Sequence, residues 1–424
     1  MKNVLVVFVL FVCGLSDATA QLIHGPILTW HTNPSETINV TWVVRPSDDK
    51  ASGEKQAPIE RNLSLWLQKN GKKDWVRMDG ESRPFADIEN NFVHAVHLKG
   101  LEANAEYAVS IASQKPESLE GATRFRTAPL TLDKPLCYVT GGDMGVGPAA
   151  QAINRQAGAS SPLFALLGGD LAYANGRSEG RWYQWIDNWV KQAVTPEGLS
   201  IPIVAVIGNH EMGSRLSEEQ AKKLGTHPRS KFFFSLFTLP EGGSRYVLDF
   251  GNYMSIYVLD SGYTYKVEEQ TEWLAGVMEE RKGRPHTFVC YHRPAYGTAK
   301  PPNMAIRKEW SPLFEKYDVD AVFENDHHTY KRTFPIRDEK VDHENGVLYL
   351  GDGAWGAGPR KAPDLSIRDR DPDARVDPIT KREIWHLARA ESRIHMWRVT
   401  LSEGKVLYEA VDKEGVVFDQ WPEK

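Results

Sequence analysis

Residues 136–145 read Leu-Cys-Tyr-Val-Thr-Gly-Gly-Asp-Met-Gly, an apolar run of strand character that stops at a Gly-Gly-Asp turn. The arrangement returns twice. Leu163–Leu167 leads into Gly168-Gly169-Asp170-Leu171-Ala172-Tyr173, and Ile201–Ile207 leads into Gly208-Asn209-His210-Glu211. Two further polar segments complete the series, Tyr291-His292-Arg293-Pro294 and Asp326-His327-His328. Buried strands that each end in a polar loop bring side chains from distant parts of a chain to one place. The glycines at 142, 169 and 208 permit the tight turns such loops require. Carboxylate, amide, imidazole and phenol groups arrive there, and together they form a donor set for hard cations. Two cations held within ~4 Å of each other need a bridging anion, and Asp170 is the natural bridge.

In their order and content these segments resemble the calcineurin-like metallophosphoesterases and, within them, the purple acid phosphatases. The family at large has a histidine two residues after its first metal-binding Asp. Here Gly145 takes that place, and Tyr173 follows Asp170 by three residues. That exchange of His for Tyr is the purple acid phosphatase pattern. The resemblance implies that Asp143, Tyr173 and His328 bind a ferric ion. It also implies that Asp170 bridges to a divalent ion, Fe, Mn or Zn, which Asn209 and His292 also hold. A phenolate is a hard anionic donor, and a trivalent cation lowers its pKa far below the free value.

The fifth segment departs from the family. A Gly-His-x-His element is expected there, but Asn325 replaces the glycine and Asp326 stands where the first histidine, a ligand of the divalent ion, should be. Read as an extended segment, 326–328 directs Asp326 and His328 inward and His327 away. A register shift of one residue makes His327 the ligand instead. An Asp in that position adds a negative charge and a harder donor, which favours Mn(II), Mg(II) or Fe(II).

The resemblance implies hydrolysis of phosphate esters by a hydroxide bound at the metal pair. His210, beside the ligand Asn209, is the candidate to contact the phosphate and protonate the leaving alkoxide, and Glu211 the candidate to orient it. Arg293 and His327 are further candidates for phosphate contact. Tyr296 and Trp355 are candidate pocket aromatics. Three functions remain open: a phosphomonoesterase acting on small phosphorylated substrates, a phosphodiesterase or nucleotide hydrolase on the same site, and a binding protein whose metal site has decayed at Asp326.

The chain has 424 residues, 41% of them hydrophobic and 25% charged, which is ordinary globular content with room for two domains. A formal net charge of -5 and the lack of a long basic run give no argument for a nucleic-acid partner. Lys2, the apolar run Val4–Val12 and Ala18-Thr19-Ala20 read as a signal peptide over residues 1–20, so the expected location is secreted or periplasmic. No later run is long enough to span a membrane, and the oligomeric state is not legible. Cys13 lies inside the signal, which leaves Cys137 and Cys290, paired or free. Asn39-Val40-Thr41 and Asn62-Leu63-Ser64 are glycosylation sequons.

The expected fold class is α+β. Between 22 and 128, short alternating runs at Ile38–Val44, Asn62–Gln68, Trp75–Met78, Phe92–Leu98, Tyr107–Ala112 and Ala122–Arg126 predict a β-sandwich. Trp42, Trp66, Tyr107 and Phe125 are its expected core aromatics. The run His94–Leu101 leading to Tyr107, closed by Phe125-Arg126-Thr127-Ala128-Pro129, resembles the fibronectin type III-like domain of larger purple acid phosphatases. Residues 133–424 then alternate strands with helices at Ala149–Ala159, Glu179–Ala193, Glu268–Arg281 and Ala305–Tyr317. Hairpin-like runs follow, so the expectation is a metallophosphoesterase domain of two mixed sheets packed face to face and flanked by helices. Residues 360–391, rich in Arg, Asp and Pro, read as an irregular surface excursion.

Overall fold

The computed structural model describes residues 21–46, 64–112, 114–213, 216–371 and 373–423. The expected signal peptide, Cys13 and the Asn62 side chain lie outside the described residues. The N-terminal region is β-rich. Its strands are β1 (Gln21–Thr29), β2 (Ile38–Pro46), β3 (Ser64–Lys69), β4 (Val76–Asp79), β5 (Glu81–Pro84), β6 (Phe92–Leu98), β7 (Glu106–Ser110) and β8 (Thr123–Arg126). Strands β4-β3-β7-β8 form one four-stranded antiparallel sheet. The inward faces carry Trp42, Leu65, Tyr107 and Phe125, all buried. Trp66, expected in the core, is only half-buried, because strand alternation turns Leu65 inward instead.

The rest of the chain builds two mixed sheets. Parallel strands β9 (Leu136–Gly141), β10 (Ala165–Leu167) and β11 (Ile203–Ala205) sit at the centre of the first, beside the antiparallel strands β21 (His395–Ser402), β22 (Lys405–Asp412) and β23 (Val417–Trp421). The second runs β12 (Tyr246–Phe250), β13 (Met254–Val258), β14 (His286–Cys290), β15 (Ala321–Phe323), β19 (Leu348–Gly351), β16 (Tyr330–Thr333) and β20 (Leu387–Glu391), with β14, β15 and β19 parallel and β16 antiparallel to β19; β17 (Ile336–Arg337) and β18 (Lys340–Val341) pair apart from it. The sheets meet through aromatic side chains: the Tyr138 ring of β9 stands edge-on to Phe288 of β14 at 5.5 Å and to Phe323 of β15 at 6.2 Å. This is the expected two-sheet architecture.

The flanking helices follow from their apolar stripes. Helix α1 spans Pro148–Ala159. Helix α2 (Glu179–Gln192) buries Trp182, Trp185, Ile186 and Trp189 on one side, and Ser178 caps its N-terminus by accepting from the Arg181 amide. The helix expected over Ala305–Tyr317 is two short ones, Met304–Glu309 and Ser311–Lys316, divided at Trp310 just before Pro312. Among the described residues no helix is long and apolar enough to cross a membrane.

Strand β1 was not anticipated, because Gly25-Pro26 interrupts it and shifts its register on β2 between His24 and Ile27. It pairs antiparallel with β2 and, at Thr29 opposite Ile203, parallel with β11. The first sheet therefore runs unbroken through ten strands, from β23 to β5. Cys137 and Cys290 stand in different sheets as free thiols. Asn39 is 2% exposed and donates to the Thr238 carbonyl at 3.3 Å, so its sequon is closed off in the folded chain.

Candidate metal centre

Each of the central strands delivers one loop to the same end of the sheets. Asp143 follows β9, Asp170 follows β10, Asn209 and His210 form a single 3-10 turn after β11, and His292 follows β14. The turn 324–328 follows β15. Ligand atoms of Asp143, Asp170 and His292 all lie within 4.8 Å of one another, and all three residues are buried.

The contacts divide the cluster into two flanks. On one, Asp143 Oδ1 accepts from the Tyr173 hydroxyl at 3.2 Å and lies 3.0 Å from His328 Nε2, which is 2.9 Å from the same hydroxyl. On the other, His292 Nε2 lies 3.3 Å from Asp170 Oδ2 and 3.9 Å from Asp326 Oδ1. Its Nδ1 faces the Gly168 carbonyl at 2.8 Å, which leaves Nε2 to the centre. Asp170 joins the flanks, with Oδ1 accepting from the His210 amide at 2.7 Å.

Tight turns hold these groups. Asp143, Asp170, Tyr173, Asp326 and His328 all have left-handed backbones, with φ of 58°, 54°, 53°, 70° and 52°. Each such non-glycine residue costs on the order of 1 kcal/mol or more, and strain of this kind concentrates at functional sites. Residues 326–328 thus form a bend rather than the extended segment expected. The bend still sends Asp326 and His328 to the centre and His327 elsewhere. Two glycines are obligatory by contact: a Cβ at Gly353 would lie 1.8 Å from Asp143 Oδ2, and one at Gly208 would lie 2.3 Å from Asp170 Oδ1.

The electrostatics favour a cation. Burial works against protonation of His292, but Asp170, Asp143 and Asp326 overcome it and push the imidazole up to about 10. Burial, then the Asp143 and Asp170 charges, push the Tyr173 phenol far above its ordinary value. Burial also opposes ionisation of Asp170 and Asp326, yet His292 and other cationic partners hold both carboxyls below their usual range. Among the described residues, His292 Nε2 is a buried polar atom without a directed hydrogen bond. The donor set and its charge fit a bound metal.

The remaining expected residues surround this core. His210 is partly exposed; its ring lies 4.2 Å from that of Tyr173, its Nδ1 meets the Asn175 side-chain oxygen, and its Nε2 is 3.6 Å from Asp170 Oδ2. Asn209 is half-buried in the same turn. Glu211 is buried beneath it, and its carboxylate accepts from the amides of Asp170, Leu171 and Gly208 at 2.7–2.8 Å. It ties two loops together, while the partner of the His210 imidazole is Asn175. Arg293 is exposed, with its guanidinium over the Tyr263 ring at 4.9 Å. His327 is 1% exposed and its Nδ1 accepts from the Thr298 amide at 3.0 Å. Tyr296 and Trp355 are fully buried, and Trp355 donates to Asn154 at 2.7 Å, so neither lines a pocket.

Three groups escape sequence reasoning. Lys300 forms an ion pair with Asp326. Arg360, from the segment read as a surface excursion, donates to the Asp326 carbonyl at 2.8 Å. Behind the site, Lys331 is buried between Glu324 and Asp352. Glu324 and Lys331 flank the fifth segment, but nothing local in the sequence marks their pairing.

The calcineurin-like phosphoesterase family model matches residues 146–330. An uncharacterized protein of Mycobacterium tuberculosis is 28% identical over 365 residues, which cover 70% of this chain and 67% of that one. Acid phosphatase type 7 of Mus musculus is 24% identical over 337 residues, 73% of each chain. Among solved structures, a purple acid phosphatase from yellow lupin (Lupinus luteus) seeds aligns with a TM-score of 0.69 at 16% identity, covering 95% of this chain and 74% of the lupin chain. At that identity the likeness speaks for the fold. The chain carries a calcineurin-like phosphoesterase domain, and within that superfamily it is purple acid phosphatase-like.

Proposed function

We propose that the protein is a secreted phosphatase that hydrolyses phosphate monoesters at a binuclear centre of Fe(III) and a divalent ion. The observation that carries the reading is the cluster of Asp143, Asp170 and His292, three buried residues whose ligand atoms lie within 4.8 Å of one another. Asp143, Tyr173 and His328 would hold the ferric ion, and Asp170 would bridge. Asn209, His292 and Asp326 would hold the divalent one. When bound, the ions supply Lewis acidity toward phosphoryl oxygens and an activated water.

The chain's own residues supply the rest. Hydrolysis forms a bond from a water oxygen to phosphorus and breaks the bond to the ester oxygen, which leaves with a proton. His210 Nε2 would give that proton, a reading supported by the engagement of Nδ1 with Asn175 and by the partial opening of the ring to solvent. Burial lowers the His210 pKa, so its acid form, and with it leaving-group protonation, prevails in acidic medium. Arg293 lies at the rim, where a guanidinium can meet phosphate.

The apolar run Val4–Val12 before Ala18-Thr19-Ala20 supports export, and the composition of 22–128 against 133–424 supports a division into two domains. The test is turnover of an aryl phosphate from pH 4 to 8 after reconstitution with iron plus Mn(II) or Zn(II). Metal analysis should give one iron and one divalent ion per chain, with a violet absorption band. Asp170→Asn should abolish both turnover and the band. No turnover with any metal pair would leave a phosphate-binding protein as the reading.

A further inference from the structure

Beside the metal centre lies an open cleft of about 980 Å³, lined by Tyr173, Asn175, Arg177, Arg181, Met212 and Arg229 among others. Three arginines thus line one space, and no carboxylate lines it among the described residues. Arg177 and Arg229 are exposed, and Arg181 is half-buried. Like charges gathered around a cleft that no carboxylate lines repel one another, a cost that an anion in the cleft would offset. Arg181 is fixed in place: its Nε donates to the Ala172 carbonyl at 3.1 Å, inside the loop that carries Asp170 and Tyr173.

The position of the cleft decides what it accepts. Tyr173 belongs both to the cleft wall and to the metal cluster, and Asn175 is the residue that holds His210. The cleft therefore opens on the His210 side, where the group leaving phosphorus departs. Resting on the phosphatase reading above, we propose that Arg177, Arg181 and Arg229 form a subsite for an anionic leaving group, so that the preferred substrates carry a second phosphate beyond the one hydrolysed. Inorganic tripolyphosphate and nucleoside di- and triphosphates have that chemistry. Guanidinium forks match phosphate oxygens two at a time, which suits such a chain better than a neutral alcohol.

The experiment compares the reconstituted wild type with the double variant Arg177→Gln/Arg229→Gln, whose positions are exposed. Substrates are tripolyphosphate and p-nitrophenyl phosphate, and binding of tripolyphosphate to the same holoprotein is followed by calorimetry. The ratio of kcat/KM for tripolyphosphate over the aryl ester should fall at least tenfold in the double variant, through KM rather than kcat. Arg177→Lys/Arg229→Lys should recover part of that loss. A ratio that stays within twofold overturns the subsite and leaves the phosphatase reading intact. Absent turnover of both substrates, with tripolyphosphate binding that weakens at least tenfold in the Gln variant, overturns the phosphatase reading and keeps the subsite. Binding that the variant does not weaken overturns the subsite.

Discussion

Two buried acidic clusters share the turn 324–328, and they meet the cost of burying carboxylates differently. Behind the site, Lys331 sits fully buried between Glu324 and Asp352, with Asp352 Oδ1 at 2.6 Å, so the chain supplies its own cation. The Tyr291 hydroxyl and the Ala295 amide satisfy the second Glu324 oxygen at 2.7 and 2.6 Å. In front, Asp143 and Asp170 are as deeply buried, yet no lysine or arginine pairs with either among the described residues. An ionised carboxylate in such surroundings needs a countercharge. The fold completes one cluster from within and leaves the other to be completed from outside. Asp326 stands between the two cases: its Oδ1 lies 3.9 Å from His292 Nε2 and is also the oxygen that pairs with Lys300.

The comparison can be broken most forcefully at Lys331. Lys331→Met strands two buried carboxylates and should destabilise the fold by about 3–5 kcal/mol, read as a lower denaturant midpoint at unchanged slope. A loss below about 1 kcal/mol would remove the distinction between the clusters. The front cluster should respond to metal instead. Loading with iron and a divalent ion at about a hundred times the dissociation constant should add about 2.7 kcal/mol of stability, reversed by chelation. Asp170→Asn should erase that gain while leaving the Lys331 effect untouched. Gly353→Ala drives a methyl toward Asp143 and places alanine at a φ of 68°. It should cost about 1–3 kcal/mol and also weaken metal retention, a pairing that a fault in packing alone would not produce. The smallest effect belongs to Lys300→Met. The Lys300 side chain is a third exposed, so stability should move by less than about 1 kcal/mol. Divalent-ion affinity should rise by roughly three- to tenfold, because Asp326 loses a competing cation. A fall in affinity would mean that Lys300 supports the site rather than competes for it.

The loop set was legible because each loop follows an apolar run, and a run followed by Gly-Asp or Gly-Asn-His is a local signal. Asp143, Asp170, Tyr173, His292 and His328 meet in one cluster, with Asp326 at its edge. The groups that escaped reading are joined over long separations. Lys300 reaches Asp326 across 26 residues and Arg360 reaches it across 34. No periodicity announces that two charges will meet, whereas alternation announces which side of a strand is buried. The same limit explains Trp66: an aromatic residue predicts a strand, but which face it takes depends on a register that neighbouring strands set. Glu211 illustrates a further gap. Its place beside His210 in the sequence suggests a partner for the imidazole, yet the turn aims the carboxylate at three backbone amides beneath it.

The pairing of Thr29 with Ile203 has a consequence for how the chain is divided in the laboratory. Strand β11 carries the loop with Asn209 and His210, and β1 is what covers its outer edge. Cutting the chain near residue 130 would strip the outer edge of β11 of its partner at Ile203 and expose an apolar strand, which is a template for intermolecular pairing. It would also uncover Tyr183 of α2, whose ring stacks on His24 of β1 at 4.5 Å. A fragment made to isolate the phosphoesterase domain should therefore aggregate, and screens for soluble protein should retain residues from 21 onward.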